Sequence, residues 1–105
     1  MATFDLTGRT ALVTGGNGGI GLGIATALAE AGANVVIAGR DEEKNHAASK
    51  QIEDHGGRCR SVRCDVDNLD DIDAAIAETT DAFGGLQILV NNAGIAAGES
   101  PENMT

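Results

Sequence analysis

Basic and aromatic residues are scarce in this chain of 105 residues, which contains no tyrosine and no tryptophan. Seven basic residues stand against sixteen acidic ones, so the net charge is −9 and repulsion from phosphate disfavours a nucleic-acid or anionic-membrane partner. No apolar run is long enough to span a membrane. Residues 1–9 carry no basic segment followed by an apolar one, so we expect no signal peptide and a cytoplasmic location.

The cysteines, histidines and clustered acids predict no metal site. Cys59 and Cys64 are five residues apart in one predicted strand, and this odd spacing places their side chains on opposite faces, as separate reduced thiols. His46 and His55 have no cluster of thiols or carboxylates nearby, so we expect them on the surface. The acids of residues 65–81 are interpreted as a solvated helix face with acids near its N-terminus.

Short apolar segments alternate along the chain with longer segments of helical periodicity. Strands are predicted at Thr10–Thr14, Val35–Ala38, Cys59–Asp65 and Leu86–Val90. A first helix is predicted from Ile20 to Ala31, a second after an N-cap at Asp41 with Ala47, Ala48 and Ile52 as apolar positions, and a third with Leu69, Ile72, Ile76 and Phe83.

This alternation predicts one α/β domain over residues 1–105, with a parallel sheet and right-handed crossovers. A nucleotide-binding domain would order the strands 3-2-1-4, with its ligand at the switch point between strands 1 and 4. A flavodoxin-like strand order is the alternative that periodicity leaves open.

A glycine-rich turn joins the first strand to the first helix, with five glycines among residues 15–21. Glycine can adopt positive φ and lets backbone amides approach a phosphate closely, while the helix that follows contributes its positive N-terminal end. Gly16, Gly18 and Gly21 fit the dinucleotide pattern G-x-G-x-x-G. The strand–turn–helix context is stronger evidence for a dinucleotide site than the match to the pattern itself. No Gly-Lys-Ser/Thr follows, which excludes a Walker phosphate loop.

Three motifs at strand ends resemble those of the short-chain dehydrogenase/reductase family. Thr14-Gly-x-x-x-Gly19-Ile20-Gly21 is similar to the family's T-G-x-x-x-G-x-G, and residues 91–94 are similar to its N-N-A-G. Asp65-Val66 resembles the pair that holds adenine in the family. The resemblance spans residues 6–95 and implies a Rossmann-like fold and a nicotinamide dinucleotide as cofactor.

The resemblance also implies a role for each matching residue. The phosphates and ribose would be lined by Gly15, Asn17, Gly19, Ile20 and Gly21. Asp65 would accept a hydrogen bond from the adenine amino group, and Val66 would pack on the ring. The ribose on the nicotinamide side would lie along Asn92, Ala93 and Gly94, while Asn91 would brace the central strands.

The end of the second strand bears on the choice between NADP and NAD. Gly39 stands where NAD-preferring relatives carry an aspartate for the ribose 2′-hydroxyl, and Arg40 follows with a guanidinium that can bind a 2′-phosphate. This pattern favours NADP. NAD stays possible, because Asp41 could turn inward to the ribose instead of capping its helix.

The family's catalytic residues have no counterpart in this chain. The family uses a serine, a Tyr-x-x-x-Lys pair and an asparagine, with the tyrosine as general acid and base. The chain contains no tyrosine, so we predict no catalytic residue and no hydride transfer by these 105 residues alone. Substrate cannot be predicted from these motifs, and a homo-oligomeric parent is expected only from the resemblance.

The predicted strands and helices also indicate a partial domain. Residues 86–90 are predicted as a strand buried on both faces, yet the order 3-2-1-4 puts them at a sheet edge, which natural chains usually cover. One face of the sheet would carry two helices and the other only one. We therefore expect further strands beyond Thr105 in the parent protein.

Two functional classes are consistent with these residues. In one, the chain is the cofactor-binding part of an oxidoreductase that interconverts an alcohol and a carbonyl. In the other, it is a non-catalytic nucleotide-binding module or remnant. A flavodoxin-like signalling domain is a weaker third interpretation, which the glycine-rich turn disfavours.

Overall fold

The computed structural model describes residues 5–92. Its strands are β1 (Thr10–Thr14), β2 (Asn34–Gly39), β3 (Arg58–Arg63) and β4 (Ile88–Asn91). Its helices are α1 (Gly19–Glu30), α2 (Glu42–Asp54) and α3 (Leu69–Phe83). The predicted alternation is confirmed, with boundaries that move by a few residues.

The four strands form one parallel sheet in the order β3-β2-β1-β4. This order confirms the Rossmann-like prediction and excludes the flavodoxin-like one. Thr14 is in register with Ala38 of β2 and with Asn91 of β4, so the carboxyl ends of the three strands lie side by side. The chain leaves the sheet in opposite directions on the two sides of β1, which creates the switch point where ligands bind in such sheets.

The helices cover the two faces of the sheet unequally. On one face, α1 and α2 pack over Val13, Val35 and Ile37 of the central strands. On the other face, α3 alone packs over Leu12 and Val36. Burial of these β-branched and aliphatic side chains is the main term that stabilises such a layered sheet.

The two cysteines lie in the separate clusters on either side of the sheet, and both are buried free thiols. Cys59 belongs to β3, whereas Cys64 follows its last residue. The prediction of opposite faces is confirmed, since side chains alternate along an extended chain. His46 and His55 are exposed, as expected.

Four sequence-based expectations are wrong, one about a strand boundary and three about burial. The fourth strand begins at Ile88 and not at Leu86. Gln87 makes two hydrogen bonds to Thr10: its N–H donates to the Thr10 carbonyl, and its side-chain oxygen accepts the Thr10 N–H. Leu89 is 56% exposed, since β4 is an edge strand with little cover. Leu69 is 77% exposed in the first turn of α3, and Ala47 is exposed on α2.

Candidate functional site

A cleft of about 600 Å³ opens at the carboxyl end of the sheet. Its wall combines residues from the turns that follow β1, β2 and β3 with residues of β4. Five of the residues singled out from the sequence line it: Gly15, Asn17, Arg40, Asp65 and Val66. Residues that are distant along the chain therefore meet at one place, which is the switch point of the sheet.

Two positions, one in the turn after β1 and one in the first turn of α1, require glycine. A Cβ at Gly21 would collide with the carbonyl oxygen of Gly15 and would lie 2.6 Å from Asn92 Nδ2. Gly15 has a φ of 67°, in the region that favours glycine, and donates its N–H to the Ala38 carbonyl at 2.8 Å. The glycines thus let α1 begin directly against the ends of β1 and β4.

The N-terminus of α1 is left open. Its N-cap, Gly18, makes no side-chain capping bond, and its first turn contains no acidic residue. Gly19 is exposed and Ile20 is 68% exposed, and Gly15 and Asn17 of the preceding turn line the cleft. Unpaired N–H groups and the positive end of the helix dipole suit an anion such as a pyrophosphate.

Asn92 connects β4 to the glycine-rich turn. Its N–H donates to the Thr14 hydroxyl at 3.0 Å, and its Nδ2 donates to the Gly15 carbonyl at 3.4 Å. The Thr14 hydroxyl lies 3.1 Å from Asn91 Oδ1 and 3.3 Å from the Val90 carbonyl, and either can accept its proton. Asn92 Oδ1 is buried and has no hydrogen-bond partner among residues 5–92, so it is an acceptor available to a ligand or to the rest of the chain.

The turn after β3 holds Asp65 in a defined position. Its N–H donates to Asp71 Oδ2 at 3.0 Å, and Asp71 also pairs with Arg63 at 3.5 Å. One oxygen of Asp65 accepts the N–H of Asp67 at 3.0 Å. The other carboxylate oxygen can accept a further bond from a donor in the cleft. Burial, reinforced by the Asp71 and Asp65 carboxylates, raises the pKa of the adjacent Cys64 thiol, which therefore stays protonated at neutral pH.

At the end of β2, the carboxylate of Asp41 accepts the N–H of Lys44 at 3.1 Å and caps α2. Arg40 is exposed at the cleft and makes no ion pair within residues 5–92. Its guanidinium is therefore free to meet an anionic group.

Other predicted residues lie beside the cleft or outside the described part. Gly19, Ile20 and Gly21 form the first turn of α1, beside the cleft. Asn92 is connected to the cleft wall by its hydrogen bond to the carbonyl of Gly15. Ala93 and Gly94 lie outside residues 5–92. No group of three or more His, Cys, Asp or Glu side chains within the described residues could hold a metal ion, and no helix there is long and apolar enough to cross a membrane.

Sequence reasoning missed two side chains that organise the site. Asn45 is buried on α2 and accepts a bond from Asn17, and Asp71 fixes the Asp65 turn. Both look like ordinary polar residues of a helix surface. The available signal was their position: each lies in the first or second turn of a helix that leaves the carboxyl end of the sheet.

The family model for short chain dehydrogenases matches residues 9–105. The chain is 42% identical over 95 residues to a 3beta-hydroxysteroid dehydrogenase of Mediterraneibacter gnavus, an alignment that covers 90% of this chain and 34% of that protein. The chain thus spans about a third to two fifths of the length of the curated relatives it matches.

Solved structures agree with this assignment. A dehydrogenase/reductase from Sinorhizobium meliloti superposes with a TM-score of 0.80 at 45% identity, covering 83% of this chain and 35% of that one. An actinorhodin polyketide ketoreductase solved with NADPH superposes with a TM-score of 0.79 at 36% identity, covering 88% of this chain and 34% of that one. Because the family model spans nearly the whole chain, and fold and motifs agree with it, this chain belongs to the short-chain dehydrogenase family of oxidoreductases.

Proposed function

We propose that the chain is the dinucleotide-binding part of an oxidoreductase that interconverts an alcohol and a carbonyl, with NADP as the preferred cofactor. One observation carries the proposal: Arg40 and Asp65 line one cleft at the switch point of the sheet together with the turn that leads into the uncapped N-terminus of α1. The helix end and Arg40 suit phosphate groups, and the Asp65 carboxylate suits a hydrogen-bond donor on a ring. The arrangement therefore supports a phosphorylated nucleotide such as a dinucleotide.

The residues present fit such a ligand. The amides of Gly19, Ile20 and Gly21 have no capping side chain to satisfy them, so they would hold the pyrophosphate. Asp65 keeps a carboxylate oxygen for the adenine amino group, and Val66 lies beside it in the same wall. The buried Oδ1 of Asn92 lacks a partner within residues 5–92 and would accept from the ribose on the nicotinamide side, with Ala93 and Gly94 following along the chain.

The preference for NADP rests on the end of β2. Gly39 offers no carboxylate to a ribose 2′-hydroxyl, and Asp41 already caps α2. Arg40 lines the cleft at the end of β2 and is exposed to receive a 2′-phosphate. NADPH is also named with the ketoreductase structure that this chain resembles.

The nicotinamide ring, when bound, would donate or accept a hydride at the carbon shared by the alcohol and the carbonyl. The residues of this chain would bind and orient the cofactor. They would not move the substrate proton, because the sequence has no tyrosine and no Tyr-x-x-x-Lys pair. We therefore expect no turnover from these 105 residues alone, and the remaining two thirds of a relative's length would have to supply the acid and base.

A non-catalytic nucleotide-binding module is the second candidate, and the absence of tyrosine is the observation that favours it. Both candidates share the cofactor site, so they predict the same binding. In either case the net charge of −9 disfavours nucleic acid as a partner. A small alcohol or carbonyl substrate and a homo-oligomeric assembly belong to the first candidate only.

The test is a titration of the 105-residue chain and of Arg40→Ala with NADPH and NADH, followed by nucleotide fluorescence. We expect NADPH to bind more tightly than NADH, and Arg40→Ala to weaken NADPH roughly tenfold with little effect on NADH, because only NADPH carries the phosphate that Arg40 meets. Arg58→Ala is the matched control, since Arg58 is exposed at the opposite end of the sheet. Tighter binding of NADH than of NADPH would contradict the preference.

A further inference from the structure

Asn45 is an unusual residue for a polar helix. It lies in the first turns of α2, between exposed neighbours, yet only 1% of it is accessible. A buried amide is expensive unless its donors and acceptor are all satisfied. In this structure they are, and the partners come from three different elements.

The side chain of Asn45 joins two strand ends to the glycine-rich turn. Its Nδ2 donates to the carbonyl of Gly39 at 2.9 Å and to the carbonyl of Val62 at 3.2 Å. Its Oδ1 accepts the Nδ2 of Asn17 at 3.0 Å. Asn45 therefore connects β2, β3 and the turn after β1, and two of its partners, Gly39 and Asn17, line the cleft.

The Asn17–Asn45 pair also occupies the space beside Gly39. A Cβ at this position would lie 2.6 Å from Asn17 Nδ2 and 2.8 Å from Asn45 Oδ1. Asn45 cannot move aside without breaking its bonds to the strand ends, so a side chain at residue 39 must break the pair. The glycine is required here by its neighbours, since it has no positive φ.

The turn has few other supports at this point. The N-terminus of α1 has no side-chain cap, and Gly18 and Gly19 contact nothing within 4 Å at the position of a Cβ. Asn17 is the last non-glycine residue before α1. The bond from Asn17 to Asn45 is thus a side-chain link between the phosphate-facing turn and the rest of the cleft.

We propose that Asn45 is a positioning residue for the cofactor: it holds Asn17 across Gly39, fixes the glycine-rich turn for the pyrophosphate, and closes the corner in which an acidic side chain at residue 39 would meet a ribose 2′-hydroxyl. The inference rests on the proposed function. It adds that the amide pair holds the turn for either dinucleotide, whereas Arg40 distinguishes NADPH from NADH.

The first test compares Asn45→Ala with Ser49→Ala. Ser49 lies one turn further along the same helix and is also buried, but it faces Cys59 rather than the cleft. We expect Asn45→Ala to weaken binding of both NADPH and NADH roughly tenfold, the size of one lost buried hydrogen bond, and Ser49→Ala to leave both affinities unchanged. Equal affinities in the two variants would overturn the proposal.

A second variant covers the case in which Asn45→Ala does not fold. Gly39→Ala leaves every hydrogen bond of Asn45 to the strand ends possible but pushes a methyl group against the Asn17–Asn45 bond. We expect it to weaken both dinucleotides as well, and to have little further effect when Asn17 is also changed to alanine, because the two changes break one link. Wild-type affinity in Gly39→Ala, or additive losses in the double variant, would overturn the proposal.

The third readout needs no nucleotide. In ¹⁵N-labelled chain, the side-chain NH₂ resonances of Asn17 report its hydrogen bond directly. We expect them to shift in Asn45→Ala and in Gly39→Ala and to stay in place in Ser49→Ala; an unmoved Asn17 amide contradicts the link itself. A wild-type chain that binds neither dinucleotide would instead reject the proposed function, and the amide measurement would still decide whether Asn45 holds Asn17.

Discussion

The three helices of this domain begin in two different ways. At α2 the carboxylate of Asp41 accepts the N–H of Lys44, and at α3 the side-chain oxygen of Asn68 accepts the N–H groups of Asp70 and Asp71. Both helices also carry two acids in their first turn. At α1 the cap is Gly18, with no side-chain bond and no acid in the first turn.

This difference separates residues that stabilise the fold from residues that serve a ligand. Side-chain caps and first-turn acids satisfy the amides and the dipole of a helix from within the chain. All three helices of the described part begin at the carboxyl end of the sheet, and α1, which follows the glycine-rich turn whose Gly15 and Asn17 line the cleft, is the one among them that lacks both. A bound pyrophosphate would supply to α1 the negative charge that Asp41 and the acids supply to α2.

Among variants that alter the difference between α1 and the other two helices, Gly21→Ala should have the largest effect. Its methyl group would collide with the Gly15 carbonyl and crowd Asn92, so we expect loss of dinucleotide binding and a free energy of unfolding lower by roughly 2–3 kcal/mol. Gly23→Ala is the matched control, because it lies on the same helix with nothing within 4 Å. The Gly23→Ala variant should bind the dinucleotide normally, and its free energy of unfolding should be higher by about 0.5–1 kcal/mol. Urea unfolding and nucleotide titration of both variants measure the contrast, and equal behaviour of the two would contradict it.

Gly18→Asp would make α1 resemble the other two helices. Its φ of −174° is extended backbone that any residue adopts, and a Cβ there meets nothing within 4 Å. We expect the chain to become more stable by a few tenths of a kcal/mol and to bind NADPH roughly tenfold more weakly, since a carboxylate would compete with the pyrophosphate for the same amides. Gly18→Ala separates charge from bulk. Undiminished affinity in Gly18→Asp would mean that the ligand does not use this helix end.

Removal of the caps on the other helices should have the converse effect. Asn68→Ala and Asp41→Ala are each expected to lower the free energy of unfolding by about 1 kcal/mol, because each leaves helix amides unsatisfied. Neither should weaken NADPH binding, and Asp41→Ala removes a negative charge next to Arg40. Thermal unfolding followed by titration distinguishes the two effects. A marked loss of affinity in Asp41→Ala would indicate that its carboxylate contacts the ribose after all.

The sheet order and the positions of the strand-end motifs could be predicted from the sequence. Alternating apolar segments predict a parallel sheet with right-handed crossovers, which leaves few ways to order four strands, and the glycine-rich turn and strand-end motifs favour 3-2-1-4 over the flavodoxin-like order. The burial of single helix residues could not be predicted so well. Leu69 matches the apolar spacing of α3 but is exposed in its first turn, while the face that packs on the sheet buries Ala75 and Thr79.

The role of Asn45 illustrates why part of the site is invisible in the sequence. Its neighbours in sequence predict a solvated helix, and its burial depends on two carbonyls at the ends of β2 and β3 and on an amide from the turn after β1. Those partners are six, seventeen and twenty-eight positions away and meet only in the folded sheet. A polar residue in a polar segment therefore gives no sign in the sequence that it is buried or hydrogen-bonded to these partners.

The most direct test of the central claim is a backbone amide NMR titration of the 105-residue chain with NADPH. We expect the amides of Gly19, Ile20 and Gly21 at the open end of α1 to shift on binding, together with Arg40 and Asp65, while the capped amides of Lys44 and Asp70 stay in place. Binding that leaves the α1 amides unmoved, or no binding at millimolar NADPH, would contradict the claim that this helix end is kept open for a dinucleotide phosphate.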